Sequence, residues 1–182
     1  MKKFLPAIFI SLIFTALMVS QMLINGQELS ASRLENNKEK FTVYESQFTK
    51  FKTNTSNGNE IDLKKIKKPI VILNFWASWC RPCLTEFKSL NQLVEKFGEK
   101  VHVLGVNSDT EDAKKEVVKI EAKHKLLFES VLDERGKLAS LFNVTAIPSS
   151  IVFHKGKVIG FFNREHDFMS EKFLEMIKSK IE

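Results

Sequence analysis

Cysteine is nearly absent: the 182-residue chain has two, Cys80 and Cys83, separated only by Arg81 and Pro82. That excludes a framework of several disulfides, and a zinc site would need two further ligands at compatible spacing. The four histidines, His102, His124, His154 and His166, are scattered without such spacing. No metal and no cofactor is expected. A strong charge of one sign is also missing: the formal net charge is +6, and Lys2 and Lys3 at the N-terminus account for two of it. The lysines at 64, 65, 67 and 68 are interrupted by Ile66 and followed by Pro69, and read as a solvated turn. Nucleic-acid binding would want basic residues interleaved with exposed aromatics, but the sixteen phenylalanines fall mostly within apolar runs. No nucleic acid is expected as a partner, and no internal repeat is visible.

What is present begins with an apolar stretch from Phe4 to Ile24, preceded by Lys2 and Lys3. Residues 1–26 therefore read as a membrane anchor or signal peptide. The apolar core of a cleaved signal is about 7–15 residues and a bilayer span needs about 20, so the length favours an uncleaved anchor. Lysines held on the cytoplasmic side place the remainder outside. Residues 27–40, mixed polar and charged, read as a linker, and residues 41–182 as one domain of ordinary size.

Within that domain the elements alternate. Phe48 to Thr53 and Asn59 to Leu63 flank the turn cluster Thr55-Ser56-Asn57-Gly58 and predict a hairpin at a sheet edge. Ile70 to Trp76 is a continuous apolar run broken only by Asn74, as expected of a strand covered on both faces. A helix from about Cys80 to Phe97 follows, with Leu84, Phe87, Leu90, Leu93, Val94 and Phe97 at helical spacing and Gly98 at its end. Further strands are predicted at Val101–Val106, Phe128–Leu132, Ser150–His154 and Val158–Asn163. Helices are predicted at Asp109–His124, at Gly136–Phe142 and, capped by Ser170, along the Phe173-Leu174-Ile177-Ile181 face.

The chemistry lies in Trp76-Ala77-Ser78-Trp79-Cys80-Arg81-Pro82-Cys83, at the junction of a buried strand and a helix. A helix N-terminus offers unpaired N–H groups and positive partial charge, which favour a thiolate there. Cys80 is so placed and reads as the nucleophile; Cys83, one turn on, resolves a mixed disulfide by attacking it. Arg81 adds positive charge, and Pro82 in the first turn sacrifices no helical hydrogen bond. A thiol lowered from about 8.5 to about 7 gains roughly 15-fold in thiolate and loses roughly 5-fold in nucleophilicity. The larger consequence is therefore for redox equilibrium rather than for rate.

This WCxPC motif after an apolar strand, with Ala146-Ile147-Pro148 downstream, resembles the thioredoxin superfamily. The N-terminal apolar segment, the predicted hairpin, the charged helix and Leu73-Asn74-Phe75-Trp76 are similar to its TlpA/ResA-type branch. The resemblance implies an α/β thioredoxin fold, a central mixed sheet flanked by helices, with an N-terminal β-hairpin extension and an inserted helix. It also implies an extracytoplasmic thiol-disulfide oxidoreductase that reduces disulfides in exported proteins, cytochrome c maturation among its settings, and is re-reduced by a membrane electron donor. Asn74 stands where thioredoxin has a buried acid, and the branch carries an acid at the position of Glu86, which is expected to shuttle protons for the cysteines. Pro148 matches the cis proline facing the cysteine pair, with Ile147 offering backbone groups to substrate, and Trp79 is expected to cover the disulfide and touch substrate. Competing readings are a copper-binding or delivery protein using His154 or His166, a non-catalytic redox sensor, and a peroxidase. The first would prefer wider cysteine spacing, and the last needs a cysteine in other surroundings.

Overall fold

A computed structural model describes residues 13–24 and 41–181. Residues 13–24 are helical with exposed apolar side chains, Leu17, Met22 and Leu23 among them. Among the described residues no helix is long and apolar enough to cross a membrane. Residues 1–12 and 25–26 of the predicted anchor and all of the predicted linker 27–40 lie outside the described residues. The chain divides into two units, residues 1–42 and Val43–Glu182.

In the second unit, Ile70–Trp76 (β3) forms the middle strand of a five-stranded sheet because every one of its side chains is buried. The other strands are Val101–Asn107 (β4), Glu129–Leu132 (β5), Ser149–His154 (β6) and Lys157–Phe162 (β7), in spatial order β5-β4-β3-β6-β7. β4 and β5 run parallel to β3, whereas β6 is antiparallel to it and to β7. A buried parallel core is the arrangement that continuous apolar runs dictate. β6 and β7 are joined through Lys155 and Gly156, both at positive φ (49° and 79°), the left-handed pair that a two-residue hairpin turn requires.

The alternation of side chains along β3 sets the layers. Ile70, Ile72 and Trp76 join one apolar cluster with Phe87, Leu90 and Leu93 of helix Arg81–Phe97 (α2), Val117 and Ile120 of Ala113–His124 (α3), and Phe173 and Ile177 of Glu171–Ile181 (α5). On the opposite face, Phe75 meets Phe142 beyond Lys137–Leu141 (α4), with ring centroids 6.0 Å apart. Phe48 meets Phe153 at 4.7 Å.

The N-terminal elements depart from expectation. Residues 41–50 (α1) are helical, so Phe48, Thr49 and Lys50 do not belong to a strand. Tyr44, Phe48 and Phe51 recur at helical spacing and are all buried, and that stripe outweighs the strand preference of single aromatic residues. The hairpin is shorter than predicted, Lys52–Asn54 (β1) against Glu60–Asp62 (β2), and forms a separate two-stranded sheet. It does lie at an edge: Thr55 bridges Val131 of β5, and the Ser56 N–H donates to the Ser130 carbonyl at 2.7 Å. α3 starts at Ala113 rather than Asp109, because Asp109 is engaged elsewhere, as described below.

Candidate active site

β3 ends at Trp76, and a turn carries the chain into α2: the Cys80 N–H donates to the Ala77 carbonyl at 3.1 Å. Cys80 has extended backbone angles and is the N-cap of α2, its Sγ accepting the Cys83 N–H at 3.3 Å. The two sulfurs are bonded at 2.07 Å, with Cα atoms 5.3 Å apart. Cys80 is 5% exposed and Cys83 not at all, so an incoming disulfide can reach only the first. Arg81 and Pro82 occupy the exposed first turn, and Trp79, 71% exposed, stands beside the pair.

The register of β3 with β6 ends at Phe75 opposite Ser149. One residue further, Trp76 comes level with Pro148, which is buried and joined to Ile147 by a cis peptide bond. Ile147 is half-buried against the cluster that contains both cysteines. Trp76 is fully buried and meets Phe87 edge-on at 5.2 Å, which places it beneath the site rather than on its surface.

Glu86 lies one turn beyond Cys83 on α2 and is 3% exposed. Its Oε1 accepts from Asn74 Nδ2 at 2.5 Å, and its Oε2 from the His166 backbone N–H at 3.2 Å. The same Asn74 amide donates to Ser150 Oγ at 2.9 Å, and Asn74 Oδ1 is buried without a hydrogen-bond partner among the described residues. Burial pushes the Glu86 carboxyl up to about 7; the Asn74 and His166 hydrogen bonds oppose this and the Glu165 charge adds to it. A carboxyl near neutrality can take up or release a proton at working pH. Asn74 has no such proton to exchange, and its amide fixes the orientation of the Glu86 carboxyl.

Two contributors escaped the sequence reading. His166, considered there only as a metal donor, contributes its backbone N–H to Glu86. Its ring stacks on Phe162 at 3.9 Å, and burial lowers its pKa against the opposing charge of Asp167. Asp109, predicted to start a helix, is buried and holds the turn before the cysteines: it accepts the Ser78 N–H at 3.1 and 3.2 Å, Ser78 Oγ–H at 3.1 Å and Asn107 Nδ2–H at 2.9 Å. A Ser and an Asp 31 positions apart give no sequence signal of such a clasp. Among the described residues no three His, Cys, Asp or Glu side chains gather as metal ligands. His154 pairs with Ile70, at the end of β3 remote from the cysteines.

Comparison with known proteins follows the same geometry. Over 134 residues the chain is 34% identical to thiol-disulfide oxidoreductase ResA of Bacillus thuringiensis subsp. konkukian (strain 97-27), covering 65% of this chain and 76% of that protein. The crystal structure of StoA from Bacillus subtilis is similar with a TM-score of 0.58 and 27% identity, over 69% of this chain and 94% of that one. A secreted Mycobacterium tuberculosis disulfide oxidoreductase, homologous to E. coli DsbE, shares the fold at TM-score 0.62 and 22% identity, over 73% and 98% of the two chains. The AhpC/TSA family matches residues 44–161, more than half of the sequence. On the match and the relatives together, the chain belongs to the AhpC/TSA family, among its thioredoxin-fold thiol-disulfide oxidoreductases.

Proposed function

We propose that the protein reduces disulfides in exported proteins by dithiol exchange outside the cytoplasm, and is re-reduced by a membrane electron donor. The observation that carries this reading is the asymmetry of the pair: an accessible Cys80 at a helix N-terminus, over a sealed Cys83 with Glu86 one turn away. In the reduced protein the Cys80 thiolate attacks one sulfur of the client disulfide; a mixed disulfide forms and the other client sulfur leaves as a thiolate. Cys83, its proton passed to Glu86, attacks Cys80 Sγ, closes the Cys80–Cys83 bond and releases the second client thiolate. Two electrons thereby pass to the client, and a donor dithiol returns them by the reverse sequence. Asn74 stays useful in both states of Glu86: its Nδ2 serves the carboxylate, and a turned amide would offer Oδ1 to the protonated acid. Trp79, Ile147 and Pro148 form the surface for an extended client segment, while Arg81 and Pro82 modulate the N-terminus of α2.

The setting outside the cytoplasm is supported by the apolar stretch 4–24 behind Lys2 and Lys3, whose described part is helical with exposed apolar side chains. Large apolar side chains exposed along a helix, interrupted only by Thr15, Ser20 and Gln21, suit a bilayer, and we take this segment as the anchor. The direction of exchange is tested by equilibrating the pair against defined redox buffers. A reducing potential is expected, and a value near about −120 mV, that of a strong oxidant, would overturn the reductase assignment. Cys83→Ser, which cannot resolve the mixed disulfide, should trap clients covalently through Cys80.

A further inference from the structure

The charge of the folded unit is unevenly placed along the strands. β3 runs from Ile70 to Trp76 and delivers the cysteines at its carboxyl end, so its amino end marks the opposite pole. That pole collects lysines from separate parts of the sequence. Lys64, Lys67 and Lys68 from the loop before β3, and Lys155 from the β6–β7 turn, line one cleft of about 310 Å3. The loop and the turn are fastened together, the Lys155 N–H donating to the Pro69 carbonyl at 2.8 Å, and the Ile66 N–H donates to Leu63 within the loop. The backbone segments that carry these lysines are therefore fixed together and not strung along a free run.

None of the four has a carboxylate partner among the described residues; the neighbouring Lys65 reaches Asp62 at 3.8 Å. The topology adds to the same pole. α2 and α3 each return from the cysteine end, and α5 follows β7 back, so Lys96, Lys123 and Lys180 of their last turns point to this side. Basic residues in last turns complement the helix dipoles and need no other explanation. The loop lysines close no helix of that length, and for them the dipole gives no reason. Two histidines lie within reach of these charges: His102 is lowered by burial and then by Lys68, against the charge of Glu129, and His154 by burial and then by Lys155 and Lys180, against a hydrogen bond to the Lys180 backbone.

We propose that this lysine pole docks on an anionic membrane surface, holding the Cys80 end toward the aqueous side where clients arrive. A lipid surface fits better than an acidic protein because the lysines are spread over a loop, a hairpin turn and helix ends, and the same chain carries the apolar stretch 4–24 that brings it to a bilayer. Basic residues near an anionic leaflet each strengthen binding about fivefold, and the attraction fades within a Debye length. Lys64, Lys65 and Lys67 are exposed, as a solvated turn would have them, and the proposal adds a function to that turn. The inference rests on the membrane-attached reading above.

The test is amine-reactive footprinting of the full chain, reconstituted in vesicles of phosphatidylcholine alone or mixed with phosphatidylglycerol. Labelling of Lys64, Lys67, Lys68 and Lys155 is expected to slow at least fivefold on the anionic vesicles, with Lys114 and Lys115 unchanged, and to recover in about 0.5 M salt. Equal labelling on the two vesicle types would hand the pole to plain solvent or to an acidic protein and overturn the proposal, as would protection of Lys114 and Lys115 instead. Flotation with the neutral vesicles reads the anchor separately, so its failure falls on the attachment reading and not on the pole.

Discussion

The two halves of the central sheet are built from different materials. At the amino end of β3, Ile70 to Leu73 pack among Val101, Val103, Leu104 and Ile151 to Phe153, all buried and apolar. At the carboxyl end the buried set includes Asn74, Ser149, Ser150, Glu86, Asn107, Asp109 and Ser130. Burying a polar group is unfavourable unless it is hydrogen-bonded, and burying a charge more so. The carboxyl half therefore gives up stability that the apolar half supplies, and does so where the cysteines emerge. Stability and chemistry are divided along a single strand.

Substitutions on either side should separate the two roles. The largest effect is expected from Cys80→Ser, which removes the only sulfur an incoming disulfide can reach. Exchange with a disulfide peptide should fall to background while the urea midpoint of the reduced proteins stays nearly the same. In the apolar half, Leu73→Ala should lower stability by about 2–5 kcal/mol, read from urea unfolding, and leave the pH dependence of exchange as it was. A changed pH profile there would break the division.

Glu86→Gln tests the carboxyl half. The native acid titrates near 7 against an ordinary value of 4.5. Between those values the folded chain holds a proton that the unfolded chain has lost, so stability falls as pH rises through this window and the loss is complete above 7. Glu86→Gln should abolish that decline, gaining about 2–3 kcal/mol on wild type between pH 4 and pH 8. A smaller loss is expected for Asp109→Ala, which strips acceptors from Ser78 and Asn107. Stability should fall by about 1–3 kcal/mol and exchange should slow as the turn before Cys80 loosens, with Asp109→Asn milder in both. Smallest is Ser150→Ala: about 1 kcal/mol, with the Glu86 ionisation moving upward as the Asn74 amide becomes freer to turn.

The sequence exposed the apolar half and the cysteine turn more readily than their supports. β3, α2 and β4 were legible because continuous apolar runs and a clear helical stripe leave little choice of element. The Lys155-Gly156 turn was legible because the chain reverses there between two apolar runs. α1 was not: Phe48, Thr49, Phe51 and Thr53 favour a strand locally, and only Tyr44 further upstream completes the helical stripe that packs on Phe142 and Phe153. In the site, the cysteine spacing and the position of Glu86 stand in the sequence itself. Its partners are supplied by strand register, which sets Ser150 beside Asn74, and by a backbone N–H at His166 that any residue but proline would provide. The Asp109 clasp was hidden for the same reason, since its acceptors meet Ser78 only after β3 and β4 align.

In the proposed mechanism the carboxyl end of β3 acts as one unit, in which Glu86 exchanges the proton that the sulfurs of Cys80 and Cys83 require. The direct measurement is the rate at which the reduced protein cleaves a disulfide peptide as a function of pH, in wild type and in Glu86→Gln. Beside the ionisation of the Cys80 thiol, which both proteins keep, the wild-type profile is expected to carry a second one near neutrality, set by Glu86, and that second one should vanish in the variant. The same ionisation, unmoved in Glu86→Gln, would contradict the account.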